Sequence, residues 1–161
     1  MTYDHSERIH DTQRGIERHG RQHHADGDDP VLGTLKQNPK YASGSSVSLT
    51  SGVNVTVASL SITVTSGFVE LNVSGNIFEV KSGSNTFSHV FYLYRDGTIL
   101  FSSQCANTAS SVAYSPLSIT FIDEPTAGTH EYSVRAVYTA GSTSGTPTAS
   151  AVITAKELGR Q

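Results

Sequence analysis

Seven histidines, one cysteine and a few clustered carboxylates are the side chains with chemistry to offer in this 161-residue sequence. His19 and His23 stand four apart, which on a helix puts both imidazoles on one face, and His24 and Asp26 follow closely. Those residue types ligate zinc. Three or four ligands must converge for such a site, and Gly20 together with the turn after Asp26 breaks the helical geometry that would align them. The plainer alternative is a polar face packed on a partner, and no metal is expected. Asp26-Gly27-Asp28-Asp29 has the composition of a calcium loop without its spacing: Gly33 stands where the bidentate Glu would be needed. Asp123 and Glu124 are paired carboxylates of the kind that hydrolyse glycosides. Neighbours on a strand point to opposite faces, however, and Pro125 with Gly128 marks a loop, so a solvated strand end is expected. Cys105 has no partner cysteine and no nearby His in sequence, and reads as a small loop or edge residue rather than a nucleophile. His89, between Phe87 and Phe91, reads as a core histidine with its hydrogen bonds satisfied. No nucleophile elbow, phosphate-cradling glycine loop or HExxH motif occurs. No catalytic residue, cofactor or enzymatic activity is expected.

The elements that hold these residues divide into two parts by charge. Residues 1–40 carry 13 of the charged side chains and five of the seven histidines, and the remaining 121 residues carry only 12 charges. The expected division is therefore an N-terminal attachment segment and linker over residues 1–40 and a β-sandwich head over residues 41–161. Within the first part, Ile9 and Ile16 are seven apart and His23 extends the series, with His19 at an intervening position. Two isoleucines with Gly15 and Gly20 among them cannot hold a helix in water alone. The segment is either a disordered polar tail or a peg, helical or extended, that orders against a partner or symmetry mates. The turn chemistry of Ala25 to Asp29 follows, and Pro30 ends any helix at or before Asp29. Ile9, Ile16, His19, His23, Asp29 and Pro30 are the candidate partner-binding residues of this segment.

From Val47 onward the pattern has period two. Ser and Thr make up 37 of the last 121 residues, and apolar runs alternate with them. Leu60, Ile62 and Val64 predict one half-buried strand; Val69, Leu71 and Val73 predict another. Phe87, His89, Phe91 and Leu93 oppose Ser88, Val90, Tyr92 and Tyr94, a central strand apolar on both faces. Asp96-Gly97 is a tight hairpin turn returning through Thr98 to Ser102. Further strands are expected around Val53–Val57, Ile77–Val80, Leu117–Phe121, Tyr132–Tyr138 and Ala149–Thr154. Eight or nine short strands describe an all-β fold, an antiparallel sandwich of jelly-roll or immunoglobulin-like kind. Without Trp, its aromatic core is expected from Phe78, Phe87, Phe91, Phe101, Phe121, Tyr132 and Tyr138. A net charge of −3, with 11 Lys and Arg against 14 Asp and Glu, lacks the basic footprint of a nucleic-acid binder. No apolar run is long enough to span a bilayer, and the polar N-terminus has no signal-peptide core, so no membrane partner is expected.

Two stretches resemble a known family. Tyr92-Leu93-Tyr94-Arg95-Asp96-Gly97-Thr98, and the run from Pro116 through Asp123-Glu124-Pro125 to Tyr132-Ser133-Val134-Arg135-Ala136, resemble the small β-sandwich heads of tailed-bacteriophage structural proteins. Those heads are similar to the tumour-necrosis-factor-like jelly roll and commonly trimerise. The ending from Ala151 to Leu158 is similar to their last strand, and His19 to Pro30 is similar to a linker between attachment segment and distal domain. The resemblance implies a trimeric capsid decoration or head-fibre protein in a virion, with the major capsid protein or another virion protein as partner. An alternative is the receptor-binding or carbohydrate-binding tip of a phage tail fibre, meeting host surface glycans, with Tyr41 and Tyr114 as exposed aromatic candidates. Part of the same stretch also resembles a fibronectin type III module, though the early-strand Trp of that family is absent.

Overall fold

The computed structural model describes residues 39–65, 67–80, 85–109, 112–140 and 145–159. Eight strands follow one another in these residues: β1 (Lys40–Ser48), β2 (Val55–Val64), β3 (Phe68–Val80), β4 (Asn85–Arg95), β5 (Thr98–Ala109), β6 (Val112–Asp123), β7 (Gly128–Ala140) and β8 (Thr148–Leu158). They form two four-stranded sheets in the orders β1-β8-β3-β6 and β2-β7-β4-β5, and every strand pair is antiparallel. The first strand pairs with the eighth, the second with the seventh, the third with the sixth and the fourth with the fifth. That nesting is one long antiparallel ribbon rolled up on itself, the jelly roll. It has one strand more than the seven-strand constant-type sandwich, so the fibronectin-like alternative is set aside.

The period-two pattern explains which face of each strand turns inward. In β2, Leu60, Ile62 and Val64 are buried while Ser61 and Thr63 are exposed, and in β3 Val69, Leu71, Val73 and Ile77 are buried. Phe87, Phe91 and Leu93 of β4 meet Tyr132, Val134 and Ala136 of β7 and the small Ala149, Ala151, Ile153 and Ala155 of β8 in a single core. Of the seven aromatic residues expected there, Phe87, Phe91, Tyr132 and Tyr138 are buried. Phe101 and Phe121 are half-buried on strands at the open sheet edges, their centroids 6.3 Å apart. Phe78 departs from the expectation, because Ile77 and Glu79 take the inward positions of β3 and leave it on the outer face.

Two glycines are required by geometry. Asp96 and Gly97 both have positive φ, 49° and 80°, as the two-residue hairpin between β4 and β5 demands. Gly44 lies where β1 crosses β2, and a Cβ there would sit 1.6 Å from the Val57 carbonyl oxygen. The adjoining bulge between Gly44 and Val47 shifts the register of β1 on β8 and lets the edge strand bend across the sandwich.

Candidate functional site

Ile9, Ile16, His19, His23, Asp29 and Pro30, with the 1–40 boundary they define, lie outside the described residues except at Pro39 and Lys40. Tyr41 and Tyr114 are 67% and 60% exposed. Both stand on strands rather than loops, on the outer face of the β1-containing sheet. Cys105 is half-buried on β5, an edge strand. His89 is buried in the core with both ring nitrogens hydrogen-bonded, as expected.

The carboxylate pair is resolved differently from expectation. Asp123 is buried, not solvated. It is the last residue of β6, its carboxylate accepts two hydrogen bonds from Arg95 Nη1 at 2.8 and 2.7 Å, and Tyr132 Oη donates to its Oδ2 at 2.7 Å. Burial, then the Asp123 hydrogen bond, pushes the Tyr132 phenol far above its ordinary range. Burial disfavours the Arg95 cation, but the hydrogen bond and charge of Asp123 outweigh it and raise its pKa. With three hydrogen bonds accepted from Arg95 and Tyr132, this carboxylate is a fastener between β4, β6 and β7. Glu124, its sequence neighbour, is exposed.

Beside this fastener, His130 closes the turn. Its Nδ1 lies 2.7 Å from Asp96 Oδ2 and its Nε2 lies 2.8 Å from the Thr126 carbonyl oxygen. Both partners are acceptors, so both ring nitrogens donate only when the imidazole is protonated. The Asp96 hydrogen bond, then that to Thr126, raises the His130 pKa. The His130 hydrogen bond, then the Glu131 backbone N–H, lowers that of Asp96.

A second polar chain is wholly internal. Glu79 Oε2 lies 2.7 Å from His89 Nε2, and Ser115 Oγ lies 2.9 Å from His89 Nδ1. A serine, a histidine and a carboxylate in that order have the connectivity of an activated nucleophile. Here the three side chains are on β3, β4 and β6 at 0, 1 and 2% exposure, with the Phe87 ring stacked 6.2 Å from the imidazole. A nucleophile sealed inside a packed sandwich meets no substrate carbonyl. What the chain does instead is join the two sheets, because Glu79 and Ser115 come from one and His89 from the other. Glu79 Oε1 has no hydrogen-bond partner.

The groups able to meet another molecule lie on the outer faces. On the β1-β8-β3-β6 sheet, Phe78 pairs with Tyr114 and Val80 with Val112 across β3 and β6, and the two rings are 5.2 Å apart. Tyr114, Val112 and Val80 are 60, 40 and 39% exposed. The outward side chains around them are Asn76, Pro116, Ser118, Thr148 and Ser150, so among the described residues this apolar cluster is ringed by uncharged side chains. On the other sheet, Arg135 pairs with Tyr92 and lays its guanidinium 4.3 Å from the Tyr94 ring centroid. Asn54 Nδ2 donates to Tyr94 Oη at 2.8 Å. Sequence offered Tyr114 as an exposed aromatic, but neither surface as a whole was legible, because each is assembled from strands far apart along the chain.

No family model matches this chain, and no curated protein matches it. Several solved structures align with it at low identity. The infectious bursal disease virus Gx strain structure is 15% identical over 77% of this chain with a TM-score of 0.40, and the infectious bursal disease virus VP2 subviral particle is 18% identical over 76% with a TM-score of 0.41. Dimeric latent PorU from Porphyromonas gingivalis is 11% identical over 75% of this chain and 12% of its own, with a TM-score of 0.44. The chain spans about a third of the length of those two viral chains, 33% in each.

Proposed function

We propose that this chain is a non-enzymatic structural protein of a bacteriophage virion, a homotrimeric capsid decoration or head-fibre protein. Its 1–40 segment attaches to the major capsid protein or another virion protein, and its jelly-roll head faces outward. The reading needs no cofactor, metal, nucleic acid or membrane. The observation that carries it is the apolar cluster of Phe78, Tyr114, Val80 and Val112 on the outer sheet face, ringed by uncharged side chains among the described residues. Copies of one chain meeting around a threefold axis bring the residues nearest that axis together, where any like charges would repel. A patch depleted of charge and rich in aromatic surface suits that contact. The phage assignment draws on the resemblance of residues 92–98 and 116–136 to phage heads, to which the jelly-roll strand order conforms.

Attachment is tested by adding purified chain to particles that lack it and measuring sedimentation with them. The full chain co-sediments, and a chain lacking residues 1–38 stays in the supernatant with its β circular dichroism unchanged. A shortened chain that still co-sediments contradicts the attachment role.

A further inference from the structure

On the outer face of the β2-β7-β4-β5 sheet, Arg135 is a cation without a counter-ion among the described residues. It stands in the middle of β7, in register with Tyr92 on one side and Thr56 on the other. No described residue forms a hydrogen bond or ion pair with its guanidinium, and its Nε is buried without a partner. The carboxylate on the same strand face, Glu131, is four residues away, roughly 13 Å along an extended strand. The guanidinium is instead stacked on Tyr94, whose ring is 6.1 Å from that of Tyr92 and whose hydroxyl is fixed by Asn54. Stacking holds the planar fork in place without using its N–H donors.

A guanidinium pre-oriented by stacking is the natural partner of a carboxylate. Tyr92, half-buried beside it, offers an amphipathic ring, and Ser102 adjoins it in register on β5. An uncharged apolar partner leaves the fork unpaired, and a bare inorganic anion leaves the ring uncovered. We propose that this face binds a carboxylate-bearing saccharide, the sugar acid paired with Arg135 and the pyranose ring lying on Tyr92. The site does not require the chain to belong to a virion and fails separately from that reading. It differs from Tyr41 and Tyr114, which lie on the opposite sheet.

The test is an amide-resolved NMR titration of the full isotope-labelled chain with sodium glucuronate, glucose and sodium acetate at matched ionic strength. Glucuronate gives saturable shifts centred on Tyr92, Ser102 and Arg135, with binding at least tenfold tighter than either glucose or acetate. Arg135→Gln and Arg135→Lys each weaken it at least tenfold, the second because an ammonium cannot supply the fork. Tyr92→Leu weakens it similarly and serves as the independent variant should a change at Arg135 disturb folding. Glucose binding as tightly as glucuronate, acetate reproducing its shifts, unchanged affinity in Arg135→Gln, or no saturation at millimolar glucuronate would each overturn the proposal.

Discussion

His130 shows how one side chain can tie local geometry to pH. With a carboxylate on one nitrogen and a carbonyl on the other, it contributes fully only as an imidazolium. Its pKa is raised in the folded chain, so its contribution is fully present below the unfolded value of about 6.5 and is lost as pH rises through the higher folded value. The Asp96 pKa is lowered, so its contribution is present above about 3.9 and is lost as pH falls through the lower folded value. The pair therefore stabilises most between about pH 4 and 6.5. Asp96 is 47% exposed, which limits the effect to about 1 kcal/mol or less. Urea denaturation of wild type and His130→Gln shows a stability gap at pH 5.5 that narrows by pH 8.5; a constant gap contradicts the account. At the internal cluster, His89→Ala leaves Glu79 buried without its partner and costs about 3–5 kcal/mol. Glu79→Leu combined with His89→Phe costs less than His89→Ala, because both halves of the pair go together; equilibrium unfolding measures both. Sequence marked His89 as internal from its apolar neighbours on β4. It could not mark Glu79 and Ser115 as its partners, since the contacts cross between sheets. Asp123 was misread for the same reason: its local setting suggests a solvated end, while the Arg95 and Tyr132 groups that bury it come from other strands.

Among the elements, those with alternating apolar residues were legible and the one without them was not. Sequence places a strand at 60–64 and another at 69–73 because their inward faces are continuous rows of Leu, Ile and Val. It splits β2 and β3, placing separate strands at 53–57 and 77–80, because the register shift between Thr56 and Ala58 in β2 and the inward Gly75 in β3 interrupt the pattern. The Asp96-Gly97 turn was legible because its chemistry is local. Strand β1 carries Ser43, Gly44, Ser45 and Ser46 and buries little, so no periodicity announces it; its pairing with β8 decides its place. That strand depends on Gly44. Gly44→Ala forces β1 away from the Val57 carbonyl and is expected to cost about 1–3 kcal/mol, the range for inserting a methyl into a filled space. Thermal denaturation checks it, and a Tm unchanged within error would mean that β1 approaches β2 less closely than described.

At the scale of the molecule, the nested strand pairs make a closed core but leave four edge strands, β1, β2, β5 and β6. On β6, Pro116 removes one backbone donor, which discourages uncontrolled strand addition. The apolar side chains of Tyr114 and Val112 beside it remain exposed, so contact through side chains is favoured over contact through backbone. Association of that kind has a defined stoichiometry. The decisive measurement is the solution mass of the full chain by multi-angle light scattering, with Tyr114→Asp alongside. The wild type is expected at three times the 17.1 kDa chain mass and the variant as a monomer, because its new charges would repel at the contact. A monomeric wild type across the micromolar range, or a trimer indifferent to Tyr114→Asp, would contradict it.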